Sequence, residues 1–194
     1  MRTSSRILSA VAAVLLVLPF FRPLWHIGLL APQYPEGIGL YIWINTVTGE
    51  KPQDLDSING LNHYIGMKAI HPDAIPELRF MPVLIGALIV IGLATAVLGK
   101  RPLLYLWTGC FALLAVAGLA DFWKWGYDYG HNLDPTAAIR VPGMAYQPPL
   151  IGSKQLLNFT ATSWPASGGL ATIVALLLVV AATLMEWRRP RPAG

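Results

Sequence analysis

Four long apolar runs divide the chain. Ile7 to Phe21, Pro82 to Leu98, Pro102 to Ala120 and Gly168 to Met185 contain no charged residue. A helix that crosses a ~30 Å hydrocarbon core needs about 20 mostly apolar residues, and the last three runs are close to that length. The pattern predicts transmembrane helices over 1–25, 81–99, 102–121 and 168–187. Between them lie two large polar segments, 26–80 and 122–167, and a basic tail, 188–194. The expected fold class is an all-α membrane protein with four transmembrane helices and two large outer loops that form a small mixed cap.

Within the first polar segment the pattern changes. Tyr34 to Gly37 reads as a turn. Leu40 to Val47 has the β-branched and aromatic content of a strand. Thr48 to Glu50 and Asn59-Gly60 carry turn signals, and a short helix is expected from Leu61 to Ile70, stopped by Pro72. A strand at 40–47 leaves an edge that requires a partner, and the 121–167 segment is the candidate. The first apolar run follows Arg2 and Arg6 as a signal peptide would, but PFFRPLWHIG lacks a small-residue cleavage site. An uncleaved signal-anchor is therefore expected; a cleaved leader, leaving three spans, is the alternative.

Composition agrees with a membrane protein. The chain is 55% hydrophobic and 12% charged, with a mean hydropathy of +0.53, whereas soluble domains carry about 25% charged residues. Half of the 14 lysines and arginines, namely Arg2, Arg6, Lys100, Arg101, Arg188, Arg189 and Arg191, fall in three short segments. The positive-inside rule makes those segments cytoplasmic, with both termini inside and both large segments outside. Trp25, Trp123, Trp125 and Trp164 then fall near the outer interface, and Tyr105, Trp107 and Trp187 near the inner one, as an aromatic belt. No basic cluster is interleaved with stacking aromatics, so nucleic acid is not an expected partner; the lipid bilayer is.

Candidate chemistry lies on the outer side. His26, His63, His71 and His131 all fall there, with Met67, Met81 and Met144. Imidazole with thioether suits copper, above all Cu(I). His63, Met67 and His71 are spaced i, i+4, i+8, which on a helix places them along one face. His131 and Met144 from the other segment would complete a metal site without cysteine. Loop histidines also hydrogen-bond backbone, the simpler reading of each. Cys110 is the single cysteine, which excludes an intrachain disulfide, a redox pair and a cysteine-based zinc site. The predicted spans carry no central histidine for haem. No G-x-S-x-G elbow, Walker A or dinucleotide fingerprint occurs, so an enzyme is not expected and no catalytic residue is assigned.

Four stretches carry a resemblance: APQYPEGIGLYIWIN, DLDSINGLNHYIGMKAI, FWKWGYDYGHNLDP and VPGMAYQPPLIGSKQLLNF. Together they resemble a small bacterial membrane-protein family found beside the accessory genes for nitrous oxide reductase, a multicopper enzyme. The resemblance implies a maturation or copper-handling factor of the inner membrane, with a copper-chaperone lipoprotein and an ABC-type transporter as partners. Three functions follow as expectations: copper handling through His63, Met67, His71, His131 and Met144; a metal-free scaffold docking the reductase or its maturation proteins; and an electron-transfer membrane subunit.

Overall fold

The structure is a computed structural model and describes residues 1–188. Of the predicted basic tail, only Arg188 lies within the described residues. Among the described residues, four helices are long and apolar enough to cross a membrane. These are α1 (Thr3–Leu15, extended by a 3-10 turn, Leu18–Phe20), α3 (Glu77–Leu98), α4 (Arg101–His131) and α5 (Ser167–Trp187), with α2 (Asp54–Ile65) a shorter helix outside the bundle.

An all-α fold is not what the chain adopts. Five strands form one antiparallel sheet: β1 (Trp25–Ala31), β2 (Tyr34–Ile42), β3 (Val47–Gly49), β4 (Gly152–Leu156) and β5 (Phe159–Pro165), in the order β3-β2-β1-β5-β4. The fold is mixed α/β. The cause is an alternation in burial that the consecutive apolar residues Leu29, Leu30 and Ala31 conceal. In β1, Ile27 and Ala31 are buried while Leu30 is 52% exposed, the period-2 signature of a half-buried strand.

The predicted strand at 40–47 is two strands and a turn. Leu40 to Ile42 end β2, the Trp43 amide donates to Thr46 O at 2.8 Å, and Val47 opens β3. The turn buries Ile44 in the end of the helix bundle. The strand partner from the second polar segment is β5, and it joins β1 rather than β2: Trp25 opposes Pro165 and Leu30 opposes Thr160. Both polar segments thus enter one sheet, which with α2 and the end of α4 makes a cap.

Two cores result. In the bundle, Ala12, Ala13, Ala175 and Ala182 bring α1 close to its neighbours around Leu104, Trp107 and Phe111, the small-residue packing that membrane helices use in place of a hydrophobic driving force. Trp107 is therefore a core residue, fully buried, and not part of an inner aromatic belt. Gly92 is required beside it, because a Cβ there would collide with the indole ring.

In the cap, Ile27, Ile38, Leu40, Val47, Ile58 and Ile70 form the second core. Helix α4 supplies one wall of it. Its 31 residues reach about 46 Å at 1.5 Å per residue, well beyond a ~30 Å core. The projecting turns carry Phe122, Trp125 and Tyr129 against the sheet, and Phe122 meets Trp25 edge-on at 5.4 Å.

Candidate functional site

Three of the predicted metal residues, His63, Met67 and His71, lie at or just beyond the C-terminal end of α2. That helix begins earlier than the sequence suggests, at Asp54, whose buried carboxylate accepts the Gly39 and Lys51 amides at 3.0 and 3.2 Å. It also ends earlier. Gly66 takes a left-handed conformation, φ 81°, which glycine adopts without a Cβ penalty, and the chain leaves the helical axis. Asn59 does not start a turn. It lies inside α2 and clamps Ile70 from both sides, accepting its amide at 2.7 Å and donating to its carbonyl at 3.2 Å.

The early stop separates the predicted ligands. His63 is exposed on the last turn of α2, its ring 6.1 Å from that of Tyr64. Met67 lies beyond the stop and lines an apolar cavity inside the cap. His71 is exposed, and its carbonyl caps a 3-10 turn, Pro72–Ala74. His131 ends α4, stacked on Tyr127 at 3.9 Å, and its Nδ1–H donates to Tyr127 O at 3.0 Å, so Nε2 is not engaged by that bond. Met144 is half-buried and closes a turn on Val141 O.

What the structure does bring to His63 is Asp134. The Asp134 amide donates to Gly66 O at 2.8 Å and the Ile139 amide to Tyr64 O at 2.9 Å, so residues 134–139 dock on the end of α2. The Thr136 hydroxyl and amide hold the Asp134 carboxyl below its ordinary range, and the charge of His63 acts in the same direction. Among the described residues, no three His, Cys, Asp or Glu side chains converge as a metal-binding group.

Two polar constellations escaped the sequence reading. On the outer face of the sheet, His26 Nε2 lies 3.0 Å from Glu50 Oε2, with the Tyr41 ring 4.9 Å from the imidazole. The pair edges a groove of about 230 Å³, lined also by Glu36, Lys51, Thr160 and Thr162. Gly39 lies beneath the pair; a Cβ there would collide with Glu50 and reach within 2.8 Å of His26 Nε2.

The second constellation lies at the far end of the bundle. Glu186 is fully buried and accepts from the Arg2 amide at 2.6 Å, the Ser5 hydroxyl at 2.8 Å and Arg101 Nε at 2.9 Å. Arg6 donates to the carbonyls of Ala96 and Val97, both at 2.8 Å. One carboxylate therefore joins α1, α4 and α5. In sequence Glu186 is only the flank of an apolar run. No protein-family model and no curated protein matches the chain.

Proposed function

We propose that the chain is a multi-pass protein of the bacterial cytoplasmic membrane, with both termini inside and the cap on the periplasmic face. There it acts as a non-enzymatic accessory factor in the maturation of nitrous oxide reductase, docking the reductase, its copper chaperone or its ABC-type transporter. The observation that supports this best is the β1–β5 pairing, which welds the two polar segments into one folded module on one end of four membrane-length helices. Such a module presents a fixed surface to a partner. The charge asymmetry supports the orientation, and the four resembling stretches support the pathway.

Copper handling is the second reading. All four histidines, with Met67 and Met144, belong to the cap and its approaches, and His131 keeps Nε2 available. Against a preformed site, the Gly66 stop turns Met67 into the cap while His63 stays exposed.

The test is a strain lacking this chain. It is expected to export reductase that is copper-poor, and wild-type chain is expected to restore the metal. Reductase that is fully loaded without the chain overturns the reading. A variant carrying His63→Ala, His71→Ala and His131→Ala separates the two forms. Full restoration by it favours docking, whereas copper-poor reductase, with loss of Cu(I) uptake by the purified variant against a competing chelator, favours copper handling.

A further inference from the structure

The groove beside His26 and Glu50 opens at the membrane end of the cap. The Ala166 amide donates to Leu24 O at 3.0 Å and the Gly168 amide to Pro23 O at 2.9 Å. These bonds tie the start of β1 to the first turn of α5, where its apolar run begins. His26 lies two residues beyond Leu24, at most about 7 Å away at ~3.3 Å per residue. A bilayer of about 40–45 Å with a ~30 Å core leaves about 5–8 Å of headgroup layer on each side. The His26–Glu50 end of the groove therefore stands at headgroup level.

Apolar surface leads up to that end. Trp164 opposes His26 across β5 and β1, and Tyr41 opposes it across β2. Trp164 is 52% exposed, and past it Leu170, Ile173, Val174 and Leu177 are exposed on α5, at the i, i+3, i+4, i+7 spacing of one helix face. The groove itself offers an open acceptor. Glu50 gives Oε2 to His26, its side chain is 43% exposed, and among the described residues Oε1 accepts no hydrogen bond. The partner of the carboxylate is an imidazole, not a lysine or arginine, so with His26 neutral the negative charge is unbalanced. Lys51 does not balance it. Its Nζ donates to Gly37 O at 3.3 Å, farther along β2 from Tyr41.

We propose that this end of the groove holds the headgroup of a phospholipid that carries a primary ammonium, the phosphatidylethanolamine class. Glu50 accepts from the ammonium, and the acyl chains lie along α5. The site needs the membrane setting but neither the maturation role nor a metal. A primary ammonium brings three N–H donors to the open carboxylate oxygen, and a quaternary ammonium brings none. Quaternary groups are held by aromatic cages, but here His26 covers the Tyr41 ring, their centroids 4.9 Å apart, which leaves Trp164 alone. An anionic headgroup such as that of phosphatidylglycerol would meet the like charge of Glu50.

The experiment is native mass spectrometry of the full chain in mild detergent. Phosphatidylethanolamine, phosphatidylcholine and phosphatidylglycerol with the same acyl chains are offered together in equal amounts. Charge-assisted hydrogen bonds are the stronger ones, so wild type is expected to retain the ethanolamine lipid at least about threefold over either of the others. Glu50→Gln, which keeps the shape of an exposed side chain, should remove that preference. Lys51→Gln, in the same groove, should keep it. Soluble phosphoethanolamine at the lipid concentration should not displace the lipid, because it has no acyl chains to lay on α5. Equal retention of the three lipids by wild type overturns the proposal. So does an undiminished preference in Glu50→Gln, a lost preference in Lys51→Gln, or displacement by the soluble headgroup.

Discussion

Glu186→Gln tests whether the buried carboxylate holds the bundle together. The substitution keeps shape, so it opens no cavity. It removes a charge that accepts from three donors and replaces one oxygen with an amide that itself donates. Arg101 is 24% exposed while the Glu186 side chain is not exposed at all, so Arg101 can recover some hydration when the carboxylate is lost. The loss therefore belongs at the lower end of the ~3–5 kcal/mol seen when a buried pair is broken, about 3 kcal/mol. That is roughly 150-fold in an equilibrium constant and, at ~2–4 °C per kcal/mol for a chain of this size, a Tm lower by roughly 6–12 °C. Arg101→Gln should cost as much or more, because it leaves a carboxylate in an apolar surround with only the Arg2 amide and Ser5 hydroxyl. In the double variant the charge pair is lost once, so the combined loss should be less than the sum by at least about 1 kcal/mol. Thermal unfolding of the four proteins in one detergent measures all of this. Single variants within ~2 °C of wild type, or strict additivity, would refute the lock.

Gly92→Ala should destabilise by about 1–3 kcal/mol, because the new Cβ meets the fully buried Trp107 ring; unfolding in the same detergent checks it, and a neutral result would mean that the α3–α4 contact is looser than described. For the orientation, cysteine at Ser57 should react with an impermeant thiol reagent in intact cells while cysteine at Lys100 should not, and the reverse labelling would invert the proposed topology.

The bundle was legible because each span carries its own signal. An apolar run of fixed length needs no knowledge of its neighbours, and Gly168 to Met185 falls within α5. The end of α4 was less so. Residues 122–131 continue the helix past the apolar run because Phe122, Trp125 and Tyr129 find the sheet to pack on, and nothing local distinguishes that from an aromatic loop. The strands failed for two opposite reasons. WHIGLLA falls in the segment read as loop, and its consecutive apolar residues Leu29, Leu30 and Ala31 hide the alternation that burial shows along it. GSKQL is so polar that it reads as loop; its place beside β5 rests on main-chain pairing, Ser153 opposite Thr162 and Leu156 opposite Phe159, which side-chain composition does not encode.

The candidate residues separate along the same line. The i, i+4, i+8 spacing of His63, Met67 and His71 is a statement about a continuous helix. One glycine at φ 81° removes its premise, and Gly66 stands in plain view between two of the three residues. A left-handed stop at Gly66 was as available to the eye as a stop at Pro72, and Asp54 with Asp56 in the first turn marked the true start, as acidic residues favour a helix N-terminus. His26 with Glu50 and Glu186 with Arg101 were not available in that way. Glu50 reaches His26 because the Glu50 amide pairs with Gly39 O at 2.8 Å and Gly39 opposes Gly28. Two strand registers must be known before one side-chain contact follows. Glu186 needs the relative placement of three helices. Chemistry that depends on such pairings is set by long-range packing, and so the polar sites of this chain had to be found in the fold.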